Sequence, residues 1–86
     1  MRAVFVMVKV DPGQVEAVAQ RIGNLEAFSE GYSISGAYDL LMKFYIEDID
    51  HLGRLVTHQI QTLPHVRETF TLLTFNAFPA PADASR

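Results

Sequence analysis

Apolar residues recur along this chain with two different periods, and the changes of period mark its elements. Residues 3–10, AVFVMVKV, are short, β-branched and aromatic, and Asp11-Pro12-Gly13 closes them, which predicts a strand. The period then lengthens. Val15, Val18, Ala19 and Ile22 fall at i, i+3, i+4 and i+7, the apolar stripe of a helix. Its expected start has Asp11 as cap, Pro12 in the first helical position and Gln14 as the capping-box partner. Its expected stop is a left-handed turn at Gly23-Asn24. Period two returns in 27–35, AFSEGYSIS, with Phe28, Tyr32 and Ile34 expected on one side and Ser29, Gly31, Ser33 and Ser35 on the other. Gly36-Ala37-Tyr38 makes a turn, and 39–46, DLLMKFYI, is the return strand of a hairpin. A second helix is capped by Asp48 or Asp50, aligns Leu52, Leu55, Val56, Ile60 and Leu63, and stops at Pro64. Residues 66–78 read as a last strand, and 79–86, PAPADASR, as a loose tail without apolar pattern.

The resulting order, β-α-β-β-α-β, is the ferredoxin-like α+β arrangement: one four-stranded antiparallel sheet with both helices on one face. One domain over 1–78 and a flexible tail over 79–86 are expected. Two helices bury one sheet face only, and a solvated second face would alternate polar with apolar. Here both alternating sets are apolar. Val4, Val6, Val8 and Val10 stand against Ala3, Phe5 and Met7; Leu40, Met42, Phe44 and Ile46 against Leu41 and Tyr45; Phe70 and Leu72 against Leu73 and Phe75. Something must cover the second face, and a second copy of the same sheet is the economical choice. The expectation is a face-to-face homodimer, a dimeric α/β barrel.

Size and charge sharpen this picture. A chain of 86 residues buries only about 60–65% of its unfolded surface, so a monomer is thinly stabilised. It has no cysteine for a disulfide, and nothing with the ligand set of a zinc site, so association is the remaining remedy. Seven basic residues against ten acidic give a net charge of −3, and the basic ones are scattered. Binding to a phosphate backbone needs them clustered, so no direct nucleic-acid contact is expected. No apolar run approaches ~20 residues, which excludes a transmembrane helix. The N-terminal run reads as a strand and not as a signal peptide, so a cytoplasmic protein is expected.

Few residues carry candidate chemistry. Asp39 stands at the turn, directly before Leu40, Leu41 and Met42. Accepting hairpin backbone N–H bonds is one reading of it; contacting a ligand or another subunit are others. Gly36 reads as a position needing φ > 0. His51, His58 and His65 recur every seven residues, but i and i+7 on a helix stand about 10.5 Å apart, too far to share one ion. Tyr32, Tyr38 and Tyr45 are expected to pack their rings, and Glu47, Asp48 and Asp50 suit a helix start. No nucleophile–base–orienter set exists, so neither catalysis nor a cofactor is expected.

The stretch SISGAYDLLMKFYIEDIDHLGRLVTHQIQTLPHVRETFTLLTF resembles the effector-binding half, the RAM domain, of the Lrp/AsnC transcriptional regulators. The Gly-x-Tyr-Asp hairpin with its apolar strand and the Leu-Pro-x-Val stretch before the last strand carry the likeness, which runs from about Ala3 to Phe78. His65 stands where the family usually has glycine. Met1 leads straight into the first strand where family regulators have a helix-turn-helix domain, so the expectation is an effector and oligomerisation module without a DNA reader. Such a module would modulate transcription of amino acid metabolism indirectly, with full-length family regulators as candidate partners. The resemblance implies a small amino acid effector bound where dimers meet in a larger assembly. Its pocket would take in Tyr32, Gly36, Asp39, Ile49, Leu72, Leu73 and Thr74, with Asp39 facing the ammonium. Two rivals stand beside this reading. One is a small dimeric-barrel enzyme, monooxygenase- or isomerase-like, which needs a deep polar cavity. The other is an ACT-like domain, which associates through sheet edges and helices.

Overall fold

The computed structural model describes residues 1–82. Four strands, β1 (Arg2–Val10), β2 (Phe28–Ser33), β3 (Leu40–Ile46) and β4 (Val66–Leu73), form one sheet in the order β2-β3-β1-β4, every pair antiparallel. Helix α1 (Val15–Gly23) joins β1 to β2. Helix α2 (Ile49–Arg54), continued by a π-helical segment at Leu55–Ile60, joins β3 to β4. This is the expected βαββαβ ferredoxin-like fold. Of the expected tail over 79–86, residues 83–86 lie outside the described residues.

Period two sorts β1 and β3 between the sheet faces. Val4, Val6, Val8 and Val10 alternate with residues that are only half-buried, and they meet Phe44, Met42 and Leu40 across the ladder. With Val18 and Ile22 of α1, and Leu52, Leu55 and Ile60 of the second helical segment, they make the core. Each such side chain contributes roughly 1.5–3 kcal/mol by leaving water. On the other face, the row Tyr32–Leu41–Met7–Phe70 crosses all four strands, and Lys43–Phe5–Leu72 lies beside it. Tyr32, Tyr45, Phe70 and Leu72 are exposed there, while Phe5, Met7 and Leu41 are half-buried. This open face is as apolar as the pattern predicted.

Several local expectations need correction. Asp11 does not cap α1. Its carbonyl accepts the Gln14 N–H at 3.1 Å across a turn with Gly13 at φ 81°, and the helix begins one residue after Gln14. Pro12 followed by a glycine at positive φ is the pattern of a type II turn, and it won over the helix start. The Asp11 carboxylate instead meets His65 Nδ1 at 3.2 Å and Arg67 Nε at 3.7 Å. Nor does α1 end left-handed. Asn24 stays right-handed at φ −87°, and its N–H reaches the Arg21 and Ile22 carbonyls. The chain then continues through tight turns, Leu25 N–H to Ile22 O and Phe28 N–H to Leu25 O.

Phe28 and Tyr32 lie on opposite faces. The register shifts between Phe28 and Glu30, so Phe28 pairs with core-facing Phe44 while Tyr32 pairs with open-face Leu41. One extra residue in a strand reverses every side chain beyond it. β4 ends at Leu73 and not at Phe78: its ladder with β1 stops at the Val4–Leu73 pair although β1 reaches back to Arg2, and at Ala3 the carbonyl accepts the Thr74 side-chain hydroxyl. The second helix is not uniformly α. Leu55 and Ile60 stand five residues apart, and the wider π turn lets both reach the core. Of the two capping candidates Asp48 serves, accepting the His51 N–H at 2.8 Å.

Candidate functional site

The hairpin between β2 and β3 is fastened to the neighbouring strands by side chains. Asp39 N–H donates to Val8 O at 2.9 Å, and Ile34 N–H to Asp39 O at 2.9 Å, which closes the loop. The ladder between β1 and β3 ends at Val8 and Leu40, so the N–H of Val10, two residues on, has no strand partner on that side. Asp39 Oδ2 accepts it at 2.8 Å. The carboxylate thus extends the sheet by one bond, which explains an acid at the head of an apolar strand. Lys9 Nζ donates to Ala37 O at 3.2 Å. The Tyr38 hydroxyl donates to Glu68 Oε2 at 2.7 Å, with its ring 6.2 Å from that of Phe70. The hydrogen bond to Glu68 is the largest cause raising the Tyr38 phenol above its usual pKa of 10.0. Gly36 lies at φ 105° with no atom within 4 Å of where a Cβ would stand. Backbone conformation, not space, is what requires glycine there.

The expected pocket residues fall into two groups. Gly36 and Asp39 sit at the hairpin end of the sheet. Tyr32 is near them on the open face, 53% exposed, its hydroxyl donating to Glu30 Oε2 at 2.7 Å. Leu72, Leu73, Thr74 and Ile49 belong to the other end. Leu72 pairs with Phe5 on the open face and Leu73 with Val4 on the helix side. The Thr74 hydroxyl donates to Ala3 O, and Ile49 opens α2, 57% exposed. The Val8 and Val4 rows are four residues apart, roughly 13 Å at strand rise. Within one chain that separation exceeds the reach of a molecule the size of an amino acid.

The pattern gave no warning of the links from Lys9 and Tyr38, since they join residues about thirty positions apart. Lys43 is another unexpected feature. It alternates onto the open face, 5.1 Å from the Tyr45 ring centroid and 5.9 Å from that of Phe5. Away from the hairpin, a cleft of about 570 Å³ opens where β3 overruns β2, between Ala27, Phe28 and Tyr45 on one side and His51, Arg54 and Gln59 on the other. A second hollow of about 490 Å³ beside it includes Arg2, Ile46 and Ile49. Among the described residues no three His, Cys, Asp or Glu side chains gather as a metal site, and no helix is long and apolar enough to cross a membrane.

Residues 3–79 match the family model of the Lrp/AsnC ligand binding domain. An uncharacterised helix-turn-helix-type transcriptional regulator of Pyrococcus abyssi is 27% identical over 75 residues, covering 84% of this chain and 50% of the relative. The chain spans about half the length of the curated relatives it matches. Among solved structures, TTHA0845 from Thermus thermophilus superposes with a TM-score of 0.87 at 35% identity, covering 93% of this chain and 100% of that one. The transcriptional regulator NMB0573 of Neisseria meningitidis, solved as a complex with L-Met, shares the fold at a TM-score of 0.84 and 10% identity, covering 98% of this chain and 56% of that one. A match of this extent, on the fold that the expected strand and helix order requires, places the chain in the Lrp/AsnC ligand-binding domain family.

Proposed function

We propose that this protein binds a small amino acid effector and assembles with copies of itself, acting on transcription through partners that read DNA. The observation that carries the reading is the sheet's uncovered apolar face, with Phe5, Met7, Leu41, Phe70 and Leu72 contiguous across the strands. A face of this kind on so small a chain is a pairing surface, and a second copy presents the same surface to it. The separation of the two pocket groups supports the same conclusion, because the hairpin of one chain has to meet the far end of another to complete a site. That NMB0573 is complexed with L-Met supports an amino acid as the effector class. Asp39 keeps one carboxylate oxygen, Oδ1, for an effector ammonium while Oδ2 holds Val10. Ligand binding between dimers would favour one assembly over another by its differential affinity.

The net charge of −3 and scattered basic residues support an indirect role on DNA, through full-length family regulators. The barrel-enzyme reading is weaker, because large side chains fill the face that would line its cavity. A thermal-shift screen of the twenty amino acids tests the proposal. A ligand at 100 times its Kd raises stability by about 2.7 kcal/mol. No shift with any amino acid would remove the effector role.

A further inference from the structure

Beyond Leu73 the chain leaves the sheet as TFNAFPAPA, nine residues without a charge, carrying Phe75 at 86% and Phe78 at 89% exposure. Two phenylalanines this bare, two and five residues after an interface-facing strand, are costly in water. The sheet register indicates where they fit. Phe28, Phe44, Val4 and Leu73 form one row across the strands, so the last residue of β4 and the first of β2 stand level at opposite edges. Beside Phe28, at the β2 edge, lies the cleft of about 570 Å³, where Ala27, Phe28 and Tyr45 supply apolar surface within a lining that also holds Glu26, Glu47, Asp48, His51, Arg54 and Gln59. Within one chain the β4 arm and this cleft are separated by the width of the sheet. A twofold axis lying between two facing sheets, parallel to the strands, exchanges the edges. It sets β4 of one copy against β2 of the other, antiparallel and at the same level, and the arm leaving Leu73 then runs onto the second copy's cleft. The β4 edge of one copy and the β2 edge of the other then run along the same side of the pair, where closing the gap between the sheets would join their exposed hydrogen-bonding rows.

We propose that residues 74–78 are an exchanged arm: Phe75 and Phe78 of each copy close over the Phe28–Tyr45 cleft of the other. The inference rests on the pairing of sheet faces proposed above and adds a second, reciprocal contact to it. It also makes the far end of the sheet, with Leu72, Leu73 and Thr74, a composite of two chains.

Because the protein has no cysteine, engineered thiols report the contact cleanly. Glu26→Cys, at the cleft rim, and Ala77→Cys, between the two phenylalanines, are made singly and mixed, then treated with a short bis-maleimide, with light scattering run in parallel. The expected result is a linked species containing one chain of each variant, exceeding the like-with-like products. The double variant should link into dimers and not into internally bridged monomers. Phe75→Ala/Phe78→Ala should weaken dimerisation by at least about 100-fold. A dimer by light scattering with no mixed link, an internal bridge in the double variant, or an unchanged dimer Kd without the two rings would each overturn the arm. A monomer by light scattering would instead remove the face-to-face pairing itself, and the arm with it.

Discussion

At Asp39 one carboxylate oxygen accepts the Val10 N–H at 2.8 Å, and an asparagine carbonyl has the geometry to do the same. Asp39→Asn should therefore shift stability by under about 1 kcal/mol, whereas Asp39→Ala strands a part-buried N–H and should cost about 1–3 kcal/mol in urea unfolding. If the free oxygen faces an effector ammonium, Asp39→Asn should also weaken the amino acid found by the screen about 10- to 100-fold in calorimetric titration. Equal affinities would leave Asp39 a purely structural residue. His65 gives a second test at this scale. It holds φ 71° between Pro64 and Val66, a left-handed conformation that favours glycine, and its Nδ1 rests 3.2 Å from Asp11. His65→Val should lose roughly 1–3 kcal/mol, because a β-branched side chain fits this region worst. His65→Gly should change stability by less than about 1 kcal/mol, relieved strain offsetting the lost contact and a freer unfolded chain. Urea midpoints in the reverse order would contradict the strain. The preference for glycine here was visible in the family likeness; the Asp11 contact, 54 positions away, was not.

Among the elements, β2 departs most from its apparent pattern. Its large-small alternation reads as one uninterrupted strand, yet the shift between Phe28 and Glu30 sends Phe28 into the core and Tyr32 to the open face. The bulge has a packing consequence at Gly31, which pairs with Met42 on the helix side. A Cβ there would stand 2.3 Å from Met42 Sδ and 3.3 Å from Phe28 Cε1. Met42 is 2% exposed and has little room to yield. Gly31→Ala should cost about 1–3 kcal/mol by overpacking. A thermal midpoint unchanged from wild type would show that the core at this edge is looser than its contacts imply. The second helix was legible in position and in its apolar stripe, but period-3.6 reasoning gave no sign that Leu55–Ile60 is π-helical.

For the whole molecule, the open face decides behaviour. Phe70 is 48% exposed in the protomer and ends the open-face row on the edge strand β4, next to Met7. Phe70→Glu should leave the protomer's core untouched and place a charge on the face proposed to pair with a second copy. Size exclusion with light scattering should give a dimer or a larger assembly for wild type and a smaller species for the variant at micromolar concentration. A wild-type monomer would show that the face is tolerated in water. Neither protein should retard duplex DNA at physiological salt, given the net charge of −3 and scattered bases. Retention of a promoter fragment above ~150 mM salt would contradict the indirect role on transcription.

The sequence alone determined the strand and helix order, the antiparallel sheet and the apolar character of both its faces, because these depend on periods of two and 3.6 within a few residues. An aspartate cap for the second helix, left between Asp48 and Asp50 until the structure chose Asp48, and Gly36 at positive φ were legible for the same reason, being local in cause. Only the tertiary structure decided which faces Phe28 and Tyr32 occupy, since one unpaired residue in a strand is invisible until its partner strand is present. It alone decided that Asp11 answers His65 and Arg67 instead of capping α1, and that Asp39 completes the edge of β1. Those outcomes depend on which orphaned N–H or charge the fold brings within hydrogen-bonding or ion-pairing reach, and contacts between residues far apart in the chain leave no periodic trace in it.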